Sequence, residues 1–201
     1  MDRMQIPNEQ NARDILEVGL AKSAQSLSVM INSHVELTPL EISLVGKELN
    51  DFLSHPEMNT LILKTELVGP VGGINYMLLS KSAVTAICQK CFNDEFSEED
   101  IKNLTIEFLK EVENVLAAAT ISEIADRFQV DMYGDVPKIQ AVESSKVINV
   151  IDSETLNMNP HLQLRCELVI PELSISMNVI WVFDSNFLSM VDATTDLQKA
   201  V

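Results

Sequence analysis

The five residues Glu66-Leu67-Val68-Gly69-Pro70 return as Glu167-Leu168-Val169-Ile170-Pro171 in the second half of this 201-residue chain. Each copy ends a strand-like run and is followed by a turn and a second strand-like run, so each predicts a β-hairpin. A residue that can cap a helix follows each hairpin, Ser80 in the first case and Asp184 in the second. Each cap precedes a run with helical character. The order of elements is therefore predicted to occur twice.

A long helical run that contains Glu-Val precedes each hairpin, over residues 11–31 and again over residues 97–127. The two predicted halves cover residues 11–93 and 97–193, and no linker separates them. We therefore expect one α+β domain over residues 1–201, pseudo-two-fold symmetric, with a largely antiparallel β-sheet packed by long helices.

The remaining segments are predicted from local patterns. Strands are expected over residues 34–44 and 129–132, and a further strand is expected within residues 139–150. Short helices are expected over residues 47–53, 81–91 and 185–190. A polar loop is expected over residues 152–160, and the tail at residues 194–201 is expected to be loose.

Composition limits the classes of partner. The net charge of −16 argues against a nucleic acid and against an anionic membrane surface, because both are bound by clusters of Lys and Arg. No apolar run approaches a membrane span, and residues 1–8 lack the apolar core of a secretory signal. Three cysteines, an odd number, fit a reducing cytoplasm, so we expect a cytoplasmic protein.

Polar side chains recur on one face of the second long helix. Glu107, Glu111 and Asn114 are spaced i, i+4 and i+7, which places them side by side along two turns. A lone Glu-x-x-Asn is more often an ordinary solvated helix face. Here, however, the Asn is a poor helix former in an otherwise strong helix, and Pro137 follows it after 22 residues.

This spaced pattern resembles the motif of the CheC/CheX/FliY family of chemotaxis phosphatases, and the length and the doubled layout look most like CheC. The family motif is Asp or Ser, three residues, Glu, two residues, Asn, 22 residues and Pro. Glu111, Asn114 and Pro137 fit it, whereas Glu107 replaces the Asp or Ser.

The first half holds a degenerate copy of the motif. Aligning its Glu-Val with that of the second half puts Glu17 at the motif Glu and Leu20 at the motif Asn. The resemblance therefore implies a single surviving site, in the second half.

The resemblance implies that the substrate is a CheY-type response regulator phosphorylated on an aspartate. Such a substrate carries its own Mg²⁺, so no metal and no cofactor is expected on this chain. The implied catalytic residues are Asn114, which would hold the attacking water, and Glu111, which would pair with a lysine of the regulator. Such a charge-assisted contact contributes roughly 1.5–3 kcal/mol. Glu107 and Pro137 would border the contact.

A non-catalytic binding module is the alternative. It would bind a response regulator, or a CheD-type deamidase of the kind with which CheC-type proteins pair, without hydrolysing anything. The retained Asn114 favours the enzyme, because a pure binder has no evident need for a carboxamide there. The oligomeric state, monomer or homodimer, stays open.

Other candidate sites are weaker. Cys88 and Cys91 form a CxxC with no second pair at zinc spacing, and they fall late in a predicted helix, where the thiol pKa is not lowered. The three histidines are scattered near turns and are expected at the surface. Trp181, in a predicted return strand, is expected in the core.

Overall fold

The chain forms five α-helices and eight β-strands within residues 8–44, 59–92, 98–158 and 160–199, which are the residues that the computed structural model describes. The helices are α1 (Glu9–Ile31), α2 (Lys81–Cys91), α3 (Glu98–Phe128), α4 (Val147–Thr155) and α5 (Ser185–Lys199). The strands are β1 (Glu36–Leu37), β2 (Glu41–Leu44), β3 (Asn59–Val68), β4 (Gly73–Ser80), β5 (Tyr133–Gly134), β6 (Lys138–Glu143), β7 (Pro160–Ile170) and β8 (Ile175–Asp184). The predicted α+β class is confirmed. The predicted helix over residues 47–53 lies outside the described residues.

All eight strands belong to one antiparallel sheet. Its order is β1-β7-β8-β4-β3-β5, with β2 also paired to β7 and β6 also paired to β3. The two predicted hairpins are β3–β4 and β7–β8, and they meet at the centre through the pairing of β4 with β8. The predicted caps also form, since Ser80 Oγ accepts a hydrogen bond from the backbone N–H of Ala83 and Asp184 Oδ1 accepts one from that of Asn186.

The sheet order reads as two matching halves about the β4–β8 pair. The same correspondence holds in the helices, because each of the nine buried positions of α1 recurs as a buried position of α3 97 residues later. The hairpin strands correspond at an offset of 101 residues between β3 and β7 and 104 residues between β4 and β8, so that the Thr65–Asn75 pair matches the Cys166–Val179 pair.

Helices α1 and α3 cover one face of the sheet and pack closely on each other. A Cβ atom built on Gly19 would lie 2.9 Å from Thr120 Cα, so α1 can approach α3 this closely only with glycine there. Ser23 Oγ donates to the backbone oxygen of Leu116 at 2.7 Å, and Lys22 forms an ion pair with Glu123 at 2.6 Å. Both helices are thus held by polar bonds as well as by the apolar core.

The opposite face of the sheet carries a smaller core. Val147 and Ile151 of α4 pack there against Ile62, Tyr76 and other apolar residues of the central strands. Among the described residues, no helix is long and apolar enough to cross a membrane.

Several local predictions were wrong. The expected strand over residues 129–132 is not formed, because Gln129 ends α3 with a left-handed φ of 56° and the short strand begins only at Tyr133. The strand expected within residues 139–150 is confirmed as β6. It ends at Glu143, where the chain enters a 3-10 turn at Ser144–Lys146 and then α4.

The expected loop over residues 152–160 is mostly helical as well, since α4 reaches Thr155 and a 3-10 turn follows at Leu156–Met158. Helix α5 extends to Lys199, so the part of the expected loose tail from residue 194 to 199 is helical. Phe187, Leu188 and Val191 of this helix are buried, which explains why it continues beyond the predicted end.

Candidate active site

Helix α3 presents Glu107, Glu111 and Asn114 together on its exposed side. Their direction follows from what the helix buries, because its buried positions pack against α1, α5 and the sheet. Ala118 and Ser122 continue the exposed line at the same helical spacing. The face therefore carries two acids and a carboxamide, followed by small residues that leave space for an approaching surface.

The spacing of apolar residues predicts a stripe on α3 through Ile101, Leu104, Phe108, Val112, Val115 and Ala119, and the observed buried line is rotated relative to this stripe. Leu104 is exposed, and Phe108 and Val115 are only partly buried. The buried line instead runs through Leu109, Val112, Glu113, Leu116, Ala117, Thr120, Ile121, Ile124 and Phe128. A carboxyl group in this line breaks the apolar period, which is why the pattern was misplaced.

Glu107 already has a partner. Lys110 Nζ lies 3.0 Å from Glu107 Oε1, and 74% of the Glu107 side chain is exposed. Exposed pairs of this kind contribute about 0–1 kcal/mol. Glu107 can therefore exchange this partner for another at little cost.

Glu113, which sequence reasoning missed, is fully buried next to Asn114. Asn75 Nδ2 on β4 donates a hydrogen bond to Glu113 Oε1 at 3.0 Å. Burial raises the pKa of the Glu113 carboxyl to about 8, and the side chains of Thr65 and Asn75 oppose the shift. The group is therefore mostly neutral at pH 7 and joins α3 to a central strand of the sheet.

Pro137 is buried between β5 and β6. The preceding strand packs on α3, because a Cβ built on Gly134 would lie 3.2 Å from Ile121 Cδ1. Asp135 donates its backbone N–H to the oxygen of Glu66 at 2.8 Å, which anchors the start of this loop to β3. The location fits a structural role for the proline, and its fixed φ suits the turn between two strands.

The first half carries a different pair of residues at the matching place. The offset of 97 residues matches Asp14 to Glu111 and Glu17 to Asn114, and both residues of the first half are exposed. Leu20, which the sequence alignment had placed at the motif Asn, is 1% exposed and instead matches Ala117. The structural register thus places a carboxylate where the second half has its carboxamide.

The cysteines have the properties of structural residues. Cys88 is buried beside the Thr105 hydroxyl at 3.3 Å, and burial raises the pKa of its thiol. Burial likewise raises the pKa of Cys91, so neither thiol is activated as a nucleophile. Trp181 is buried as predicted, and His34 is exposed. Within the described ranges, no group of three or more His, Cys, Asp and Glu side chains is arranged to hold a metal.

Solved structures reveal what the sequence comparisons do not. No protein-family model and no curated protein sequence matches the chain. FliY from Thermotoga maritima, however, superimposes with a TM-score of 0.64 at 13% identity, over 94% of this chain and 98% of that one. CheX in the CheX–CheY–BeF₃–Mg²⁺ complex from Borrelia burgdorferi superimposes with a TM-score of 0.57 at 15% identity, over 86% and 99% of the two chains. The chain has the CheC/CheX/FliY fold.

The same fold is found in FliM. The FliG–FliM complex from H. pylori matches with a TM-score of 0.54 at 19% identity, over 90% of this chain and 96% of that one. Because all of these identities are below 20%, the likeness concerns the fold alone. Proteins of this fold occur in complexes with different partners, so the fold does not choose between functions for this chain.

Proposed function

We propose that the protein is a phosphatase that hydrolyses the aspartyl phosphate of a CheY-type response regulator, with one active site on α3. The observation that carries the proposal is the exposure of Glu111 and Asn114 one turn apart on one helix face. Further support comes from CheX, a protein of the same fold that was solved in complex with CheY, BeF₃ and Mg²⁺. Beryllofluoride stands in for a phosphoryl group, so that complex resembles a phosphorylated regulator with its metal.

Asn114 is the proposed water-positioning residue. An aspartyl phosphate is already activated, and hydrolysis requires chiefly a water held in line with the phosphorus. A carboxamide suits this role because its oxygen accepts a hydrogen bond from the water while its NH₂ group can donate another. The side chain is exposed on a helix that is held to the sheet and to α1, which fixes its direction.

Glu111 is the proposed anchor. A lysine in the active site of the regulator would pair with its carboxylate, which would place Asn114 over the phosphoryl group. Glu107, one turn earlier, would border this contact, and Pro137 would support the loop after β5. The Mg²⁺ ion belongs to the substrate in this scheme, and the protein would act in the cytoplasm, where response regulators are phosphorylated.

The decay of a phosphorylated CheY-type regulator from the same organism tests the proposal. Wild-type protein should accelerate the decay. Asn114→Ala should reduce the acceleration by about 100-fold or more, because the water loses its orientation. Its affinity for the regulator loaded with BeF₃ and Mg²⁺, measured by calorimetry, should stay unchanged.

Glu111→Ala should behave differently from Asn114→Ala in the same assay. Loss of a charge-assisted contact should weaken binding of the BeF₃-loaded regulator by roughly 10- to 100-fold. Asp14→Ala is the matched control for Glu111→Ala, and Glu17→Ala is the matched control for Asn114→Ala, because these residues occupy the corresponding exposed positions of α1. An Asn114→Ala variant that is as active as wild type would refute the assignment.

A binding module is the second candidate function. FliM has been solved in complexes with FliG and with SpeE, so this fold also serves as a docking unit. Binding of a regulator without faster decay would favour this function, with a CheD-type deamidase as a further partner to test. Sedimentation of the free protein would decide between a monomer and a homodimer.

A further inference from the structure

A polar cluster lies in the core directly beneath Asn114. Glu113, the preceding residue, points inward and accepts a hydrogen bond from Asn75, while Thr65 stands opposite Asn75 on the neighbouring strand. Glu113 Oε2 and Asn75 Oδ1 have no hydrogen-bond partner in the described part of the chain. Incompletely paired polar groups destabilise a core, so this cluster requires an explanation other than stability.

The other half of the molecule packs the same place with apolar side chains. Leu16 of α1 matches Glu113, and Cys166 and Val179 match Thr65 and Asn75 through the equivalent strand pairing. All three are buried, at 0%, 1% and 3% exposure. The fold therefore does not need a polar cluster at this position, and the cluster is present only in the half that carries Asn114.

We propose that Glu113 is a positioning residue, which holds α3 against β4 in the rotation that aims the Asn114 carboxamide at the substrate. This inference rests on the proposed phosphatase function. The apolar contacts of α3 are non-directional, whereas a hydrogen bond constrains both distance and angle. The Glu113–Asn75 bond lies one residue from the carboxamide, so it acts where the rotation of the helix matters most.

The sensitivity of catalysis to that rotation follows from helix dimensions. Side-chain tips lie about 5–6 Å from a helix axis, so a rotation of about 10° moves them by about 1 Å. A displacement of about 1 Å can reduce the rate of a reaction that depends on positioning by about 100-fold. A small rotation of α3 would thus leave the fold intact and still misplace the attacking water.

The experiment copies the apolar packing of the first half into the second. The double variant Glu113→Leu/Asn75→Val should fold, because Leu16 and Val179 already occupy the matching positions. Its crystal structure should show α3 rotated and Asn114 displaced by about 1 Å. Acceleration of regulator decay should fall by at least about 10-fold, with little change in affinity for the BeF₃-loaded regulator.

Two single variants serve as controls. Glu113→Gln keeps an oxygen that accepts from Asn75 Nδ2, so it should retain the Asn114 position and nearly wild-type activity. Leu16→Val alters the matching buried position of α1 and should leave the Asn114 position and the activity unchanged.

Two results would overturn the inference. One is a double variant with Asn114 in its original position, and the other is a displaced Asn114 with unchanged decay. If the wild-type protein fails to accelerate decay, the proposed function fails by itself, and the crystal structures still decide whether Glu113 sets the direction of Asn114.

Discussion

The buried carboxyl of Glu113 makes stability depend on pH in an unusual direction. Its pKa in the folded protein is about 8, against 4.5 for an ordinary glutamate. Between these values the folded state holds a proton that the unfolded state has released, so stability falls as pH rises. The stability that comes from keeping the Glu113 carboxyl protonated is fully present below about pH 4.5 and is lost as the pH rises through about 8.

We therefore expect wild-type protein to lose stability between pH 5 and 8 by on the order of 1 kcal/mol per pH unit relative to Glu113→Gln, which cannot ionise. Urea unfolding of both proteins at several pH values measures this difference. Exposed Glu111→Gln is the matched control and should follow wild type. Parallel curves for wild type and Glu113→Gln would contradict a buried, neutral carboxyl.

At the residue scale, the sequence could predict Glu111 and Asn114 but not Glu113. Their spacing placed the first two on one helix face, and the structure exposes both. Periodicity assigns acids to solvent, so it gives no reason to place Glu113 in the core. The alignment by Glu-Val uses an offset of 94 residues, whereas the structural offset of 97 residues is the one that matches Glu113 to Leu16 in the apolar stripe of α1.

At the scale of elements, the contact of α1 with α3 depends on a glycine. An alanine at position 19 would place its Cβ 2.9 Å from the Thr120 backbone, and backbone cannot move aside as a flexible side chain can. The neighbouring Ser23–Leu116 hydrogen bond needs the same close approach. Gly19 therefore sets how closely α3, the helix that carries the candidate site, packs against α1.

Gly19→Ala should lower the free energy of unfolding by about 1–3 kcal/mol, because the overpacked helices must separate. The sign of this change is informative, since a Gly→Ala substitution at an unpacked helical position is stabilising by up to about 1 kcal/mol. Chemical denaturation measures the change in the free energy of unfolding. Ala21→Gly, at an exposed position of α1, reports the propensity effect alone and should cost about 1 kcal/mol. A stabilised Gly19→Ala protein would show that the helices are farther apart.

Long periodic elements were predictable, and short ones set by tertiary contacts were not. The hairpins and α1, α2 and α3 follow from repeats, caps and period. The run Val147-Ile148-Asn149-Val150-Ile151 is rich in β-branched residues and favoured a strand. It forms α4 because Val147 and Ile151, four residues apart, bury one helical face on the sheet, and this packing outweighs local propensity.

At the scale of the whole molecule, the two halves share a framework and differ in surface. Their strand pairing and buried helix positions correspond, whereas the exposed face of α1 carries Asp14 and Glu17 in place of Glu111 and Asn114. The proposed site on α3 would therefore depend on two features that the first half lacks, the exposed side chains of α3 and the buried Glu113–Asn75 pair beneath them.

The offset of 97 residues between α1 and α3 and the alignment by Glu-Val lead to different predictions for Leu20 and Glu17. Leu20→Asn would bury a carboxamide at a 1% exposed core position, and we expect it to destabilise the protein by about 3–5 kcal/mol. Glu17→Asn should cost under about 1 kcal/mol, because the residue is exposed and loses only the pair with Arg13 at 3.8 Å. Urea unfolding of both variants measures the contrast. Similar losses for the two substitutions would mean that α1 does not match α3 at an offset of 97 residues, and that Glu17 is not the counterpart of Asn114.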